Sequence, residues 1–287
     1  MHRDESAWNC VANLVRLGER LLSENSNARL DAELLLAHVL GCDRTAVYRD
    51  ANKKVSPDQQ QSFCDLVSAR SSGKPLAQIV GVQEFWSLPF VVDENVLIPR
   101  PETELLVDVA LLHLRRLDRP IVADLGTGSG AIAVAISHEC PNATIVAVER
   151  SIAALEIAKR NCARHARAPI YLVRANWLMG LCDHQFDLII ANPPYIASGD
   201  PLVRTTSIRF EPEAALVSGP DGLDALRQVV AGAARALKSG AVLAVEHGYN
   251  QATQVRAQFQ QHGFCSIITE RDLAGHERVT SGRISGS

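Results

Sequence analysis

A chain of 287 residues, 47% of them hydrophobic, can bury a large core and is long enough for two domains. Its formal net charge of −3 argues against the global basic excess that draws a protein onto nucleic acid, though a locally basic face stays open. No apolar run approaches the roughly 18 residues of a membrane span, and Met1-His2-Arg3-Asp4-Glu5 lacks a signal-peptide core. The seven cysteines are odd in number, widely spaced and form no C-x-x-C pair, so neither a disulfide framework nor a metal site is expected. Reduced thiols in a cytoplasmic protein are the reading that follows.

In chain order, residues from Ser6 to about Ser72 have a helical pattern. Asn27 is placed to cap a helix carrying Leu30, Leu34, Leu35 and Val39, with Gly41 closing it. Ser56-Pro57-Asp58-Gln59 reads as a capping box with proline at the first helical position, followed by Phe63, Leu66 and Val67 on one face. Ser71-Ser72-Gly73-Lys74-Pro75 stops that helix, and Ile79 to Pro99 reads as a turn-rich hairpin. After Pro101 strands and helices alternate, with strands expected at Ile121–Leu125, Thr144–Glu149, Ile170–Arg174, Phe186–Asn192 and Ala241–Glu246. Such alternation implies a mainly parallel sheet covered on both faces, a Rossmann-like α/β domain with ligands at the C-terminal strand ends. The expected division is therefore a helical domain over 1–75, a hairpin linker over 76–98 and an α/β domain over 99–287.

Three segments at those strand ends carry chemistry. Gly126-Thr127-Gly128-Ser129-Gly130 joins a strand to an alanine-rich helix from Ala131 to Ser137, and its glycines permit positive φ and close backbone approach to a ligand. The string Gly126-x-Gly128-x-x-Ala131 also satisfies a dinucleotide fingerprint. Glu149 ends the next strand, where an acidic side chain binds ribose hydroxyls in both NAD and S-adenosylmethionine sites. Asn192-Pro193-Pro194-Tyr195 ends the apolar strand Phe186-Asp187-Leu188-Ile189-Ile190-Ala191. Asparagine offers a carbonyl acceptor, the prolines stiffen the mount and remove N–H donors, and tyrosine adds a flat face. That set suits a planar NH2 group, an amide or the exocyclic amine of a base, held for alkylation. A proline turn after a core strand is the competing reading, and the glycine loop upstream weighs against it.

The whole chain resembles the bacterial release-factor glutamine methyltransferases, the PrmC/HemK family. The similarity rests on the helical run Ala28 to His38, on Gly73-Lys74-Pro75-Leu76, Glu84-Phe85-Trp86 and Leu97-Ile98-Pro99-Arg100-Pro101-Glu102-Thr103-Glu104. It continues through Arg209-Phe210-Glu211-Pro212, Glu246-His247-Gly248 and Glu277-Arg278-Val279. Asn192 to Tyr195 alone is shared with amino-methylating nucleic-acid enzymes. The resemblance implies a class I methyltransferase domain in which Gly126, Thr127, Gly128, Ser129 and Gly130 hold the methionine part of S-adenosylmethionine, and Glu149 holds the ribose. Trp177 matches an aromatic at the cofactor site. Glu149 and Asn176 stand where the family commonly has Asp, so at Asn176 an adenine-directed carboxylate is missing.

Asn192, Pro193, Pro194 and Tyr195 would bind the reacting glutamine of the Gly-Gly-Gln motif in class I peptide-chain release factors, with Asn192, Pro193 and Tyr195 in the catalytic role. Asn192 would also border the cofactor. The helical N-terminal domain would recognise the factor, the product would be S-adenosylhomocysteine, and neither metal, membrane nor direct nucleic-acid contact is expected. No catalytic histidine is assigned: His38 reads as a packed or surface residue, and His247 is open between a structural and a functional role. Phe85 and Trp86 read as packing, Arg100 and Glu102 as shaping the approach to the cofactor, and the charges around Arg115, Arg116, Asp118 and Arg119 as a solvated helix end. Rival functions are an adenine- or cytosine-amino methyltransferase on nucleic acid, a nicotinamide-dependent oxidoreductase, and a non-catalytic S-adenosylmethionine-binding protein associated with translation.

Overall fold

The computed structural model describes residues 10–204 and 207–285, apart from the side chain of Arg204. The expected helical start at Ser6 lies outside the described residues. The chain divides at Gly81 into two compact units. Leu76 to Val80 therefore goes with the helical unit, and the hairpin that follows goes with the sheet.

The first unit contains α1 (Val11–Leu21), α2 (Ala28–Leu40), α3 (Arg44–Arg49), α4 (Pro57–Ser71) and α5 (Leu76–Val80). Leu14, Leu35, Leu36, Phe63 and Val67 form its core. Gly18 lets α1 approach: a Cβ there would sit 2.8 Å from both the Ala32 Cβ and the Phe63 ring. Ser56 and Gln59 make the expected capping box, and Gly41 closes α2 at φ 64°. Asn27 precedes α2, but its side chain makes no cap bond.

Two acids on α2 are buried, which apolar periodicity alone does not foreshadow. Asp31 accepts from Arg70 Nε at 2.7 Å, while Glu33 accepts from Arg29 (3.0 Å), Arg44 (2.7 Å) and the Tyr48 hydroxyl (2.6 Å). Burial pushes the Glu33 carboxyl up, but the hydrogen bonds from Tyr48, Arg44 and Arg29 outweigh it and hold the group below its usual range.

The second unit opens with an antiparallel hairpin of β1 (Val82–Phe85) and β2 (Leu88–Val91). There follow α6 (Glu104–Leu114), β3 (Ile121–Leu125), α7 (Ala131–Glu139), β4 (Thr144–Glu149), α8 (Ile152–His165), β5 (Ile170–Arg174) and β6 (Phe186–Ala191). The unit ends with α9 (Asp224–Ala236), β7 (Leu237–Glu246), α10 (Ala252–Gln261), β8 (Phe264–Arg271) and β9 (Glu277–Ile284). The sheet has seven strands in the order β5-β4-β3-β6-β7-β9-β8. Its first five strands are mutually parallel, and β9 runs antiparallel to both its neighbours.

Successive residues of each strand serve opposite faces. Val122, Leu188 and Ile190 pack with Leu106 of α6 and Val134 of α7. Ala123, Ile189 and Leu243 pack with Val229 of α9 and Phe259 of α10. This is the Rossmann-like arrangement expected from the alternation. Three strand ranges coincide with expectation, while β6 stops at Ala191 and β7 begins earlier, at Leu237. The antiparallel pair β8 and β9 adds to the strands expected from the sequence.

Register positions the site. Leu125 pairs with Val148 and Ala191, and Ala191 pairs with Val245. The residues that follow each of these (Gly126, Glu149, Asn192 and Glu246) therefore emerge along one edge, at the carboxyl ends of parallel strands.

Candidate active site

The glycine loop is fixed from beneath. Asp124, fully buried in β3, accepts from Thr127 Oγ1 at 2.6 Å and from the Ala133 backbone N–H at 3.2 Å. Burial raises its carboxyl to about 6 against those two hydrogen bonds, which pull it down. Gly126, Gly128 and Gly130 all have positive φ (73°, 53° and 80°). A Cβ on Gly126 would stand 3.2 Å from the Trp177 ring, so the indole lies directly over the loop. Asn161, fully buried in α8, donates to the Ser129 carbonyl at 2.8 Å and exchanges hydrogen bonds with both backbone groups of Val91, tying the loop to the hairpin.

Glu149 reaches back to the same loop. Its Oε2 accepts from Gly128 N–H at 3.2 Å, and its Oε1 accepts from Arg150 and Ser151 N–H at 2.8 and 2.9 Å. A carboxylate has about four acceptor positions, so Oε2 keeps capacity for a ligand hydroxyl. Gly126, Gly128, Glu149, Asn176, Trp177 and Asn192 line a cavity of about 400 Å³. Thr127 and Ser129 are buried and, with Gly130, shape the loop without lining that cavity.

A second cavity, about 660 Å³, is lined by Asn192, Pro193, Pro194 and Tyr195. Asn192, Pro194 and Leu97 line both cavities, so the tetrapeptide stands where they adjoin. The Asn192 amide is oriented by its Nδ2, which donates to Thr103 Oγ1 at 3.1 Å. The carbonyl oxygen Oδ1 is left to accept from a ligand. The Tyr195 hydroxyl donates to Glu246 Oε1 at 3.5 Å, and the Tyr195 carbonyl accepts from Gln251 Nε2 at 3.0 Å. Burial and the neighbouring Glu246 carboxylate push the tyrosine hydroxyl upward, which keeps it a proton donor. Gly222 makes room for this segment, since a Cβ there would fall 2.3 Å from the Tyr195 carbonyl oxygen.

Arg100 lines the second cavity rather than the first and pairs with the buried Glu211, whose other oxygen accepts from Ile98 N–H at 3.0 Å. Glu211 thereby fixes the segment that carries Leu97. Glu102 is exposed and lines neither cavity. His247 has a structural role: it is fully buried, and its ring nitrogens are engaged by Thr280 Oγ1 (2.8 Å) and the Gly248 carbonyl (2.9 Å). Burial lowers its tendency to protonate. His38 lies on the surface. Phe85 is buried against the sheet, and Trp86 donates from its ring to Glu139 at 2.9 Å, so both serve packing. Among the described residues no group of three or more His, Cys, Asp or Glu is placed to hold a metal ion, and no helix is long and apolar enough to cross a membrane.

Residues 13–81 match the PrmC N-terminal domain, and residues 102–219 match the methyltransferase small domain. A release factor glutamine methyltransferase of Xylella fastidiosa (strain Temecula1) is 45% identical over 90% of this chain and 94% of its own length. The chain belongs to the release factor glutamine methyltransferase family. A member from Escherichia coli (strain K12) is 40% identical over 91% of this chain and 94% of its own length. A methyltransferase structure from Pyrococcus furiosus, 16% identical, covers 78% of this chain and all of its own with a TM-score of 0.52, in agreement with the fold. Family membership removes the nicotinamide oxidoreductase from consideration, since the glycine string was its only support.

Proposed function

We propose that this enzyme methylates the side-chain amide nitrogen, N5, of the glutamine in the Gly-Gly-Gln motif of class I peptide-chain release factors, using S-adenosylmethionine. The observation that carries the reading is Asn192, which lines both cavities and gives its Nδ2 to Thr103, leaving its oxygen to accept from a substrate amide. The positive-φ glycine cradle under Trp177 and the spare acceptor capacity of Glu149 suit the cofactor in the smaller cavity. When bound there, S-adenosylmethionine supplies an activated methyl on a cationic sulfonium.

The protein's own task is set by amide chemistry, because the glutamine nitrogen has its lone pair delocalised into the carbonyl. Asn192 Oδ1 and the Pro193 backbone carbonyl accept the two N–H hydrogens and so direct the nitrogen lone pair toward the cofactor side. Tyr195, anchored at its hydroxyl by Glu246 and at its carbonyl by Gln251, packs on the amide plane. Acceptors fixed in advance of reaction contribute about 10²–10³ in rate each, and alignment adds to that. The amide product sheds its extra proton readily, so no tuned general base is needed.

The reading is tested by incubating the protein with labelled S-adenosylmethionine and a purified release factor, then mapping the label by mass spectrometry. One methyl on the Gly-Gly-Gln glutamine is expected, with none on a factor in which that glutamine is replaced. Label on nucleic acid and none on the factor would overturn it. Cofactor assignment has its own check. Glu149→Ala is expected to weaken S-adenosylmethionine by about 1–3 kcal/mol, because ribose hydroxyls lose a charged acceptor. Calorimetry measures it, and an unchanged Kd would remove Glu149 from the cofactor site.

A further inference from the structure

Glu246 ends β7 only 2% exposed, and its Oε2 has no hydrogen-bond partner within the described protein. Leaving such an acceptor buried is costly, and the cost has a place in the site. The carboxylate is faced by the Tyr195 hydroxyl from the loop after β6 and by Thr103 from the turn before α6. Arg278 of β9 and Glu102 are the charged groups that act on it. Neither Thr103 nor Glu246 is among the residues lining the two cavities described above, which places both behind Asn192.

Thr103 Oγ1 already accepts from Asn192 Nδ2 at 3.1 Å. A hydroxyl has one hydrogen, and that of Thr103 remains available for the carboxylate. We propose that Glu246 and Thr103 are positioning residues for Asn192: the ionised carboxylate takes the Thr103 hydrogen, Thr103 must then accept from Asn192 Nδ2, and Oδ1 is turned to the substrate amide. This relay rests on the amide-methylation reading above.

Protonation reverses the direction. Burial raises the Glu246 carboxyl to about 7, with Thr103, Arg278 and Tyr195 opposing and Glu102 reinforcing the rise. A protonated Glu246 donates its hydrogen to the Thr103 oxygen. Thr103 then donates to Asn192, which turns its carbonyl inward and presents –NH2 to the substrate's –NH2. Two donors facing one another form no hydrogen bond, so the amide nitrogen is no longer aimed, while contacts elsewhere on the factor still hold the substrate. The productive form is the ionised one, so turnover falls as pH drops through the carboxyl's titration.

The test uses the full chain with a purified release factor, following kcat, KM and S-adenosylmethionine affinity from about pH 5.5 to 9, which lies above the ordinary carboxylate range and brackets the value of about 7 to which burial raises Glu246. Wild type is expected to lose kcat below about pH 7, with KM little changed. Thr103→Ala should lower kcat about tenfold while leaving cofactor affinity within about threefold, and Thr103→Ser should restore it. Glu246→Gln cannot take up a proton and should abolish the acidic fall in kcat. A Thr103→Ala enzyme with wild-type kcat, or an acidic fall that survives in Glu246→Gln, overturns the relay. If circular dichroism shows that Glu246→Gln is not folded, the Thr103 pair decides the matter. A wild-type chain that leaves the factor unmethylated overturns the function itself, whereas a methylating wild type matched by Thr103→Ala overturns the relay alone.

Discussion

Replacing Asn192 with alanine is expected to reduce methylation of a release factor by at least about 10²-fold, with cofactor affinity changed much less. The effect is large because the side chain is held by everything around it. It follows a strand whose Leu188, Ile189, Ile190 and Ala191 are fully buried, it is followed by two prolines, and its Nδ2 is engaged by Thr103. An acceptor fixed in this way needs no reorganisation when the amide nitrogen begins to pyramidalise. Asn192→Asp is expected to be similarly damaging: a carboxylate has no N–H to give Thr103, and it adds a charge where a neutral oxygen is required. Initial rates of label transfer, paired with calorimetric titration of S-adenosylmethionine, separate the two quantities. Near-normal turnover in Asn192→Ala would show that the amide is not clamped by this side chain.

What could be read from the sequence, and what could not, follows from the range of the interactions. The strands β3, β4 and β5 and the loop after β3 were legible because each is a short apolar run closed by glycine, an acidic residue or an arginine, and such signals are local. Strand-end placement of Glu149 and Asn192 followed from the alternation of elements, and the register gives it a physical basis. The strands β8 and β9 were not legible, because β8 is a largely exposed edge strand and β9 carries Ser281-Gly282 in its middle. The pairings of the site's helpers were out of reach for another reason, although Arg100, Thr103 and Glu211 lie in segments that carry the resemblance. Thr103 meets Asn192 across 89 residues, Arg100 meets Glu211 across 111, and Asn161 meets Val91 across 70. Each pairing joins residues far apart in the chain, and only the folded sheet brings the partners together. His247 was ambiguous for the same reason: its engagement by Thr280 on β9 depends on a strand that the sequence did not reveal.

Removing the residues up to Gly81 is expected to leave S-adenosylmethionine binding largely intact while sharply reducing methylation of an intact release factor. The remaining unit, from Val82 onward, keeps both apolar clusters of the sheet, the glycine loop and the tetrapeptide, and the helical unit has a separate core of Leu14, Leu35 and Phe63. A glutamine is a small target, and a site that recognised it alone would modify many proteins. Selectivity must come from contacts away from the reacting nitrogen, and binding energy gained there also positions the amide. If the helical unit supplies those contacts, its loss should cost about 10²-fold or more on the intact factor and far less on a short Gly-Gly-Gln peptide that never used them. Circular dichroism and calorimetry establish first that the truncated protein is folded and binds cofactor, and both substrates are then assayed side by side. Equal losses on peptide and factor would mean that the helical unit stabilises the methyltransferase unit and does not read the substrate.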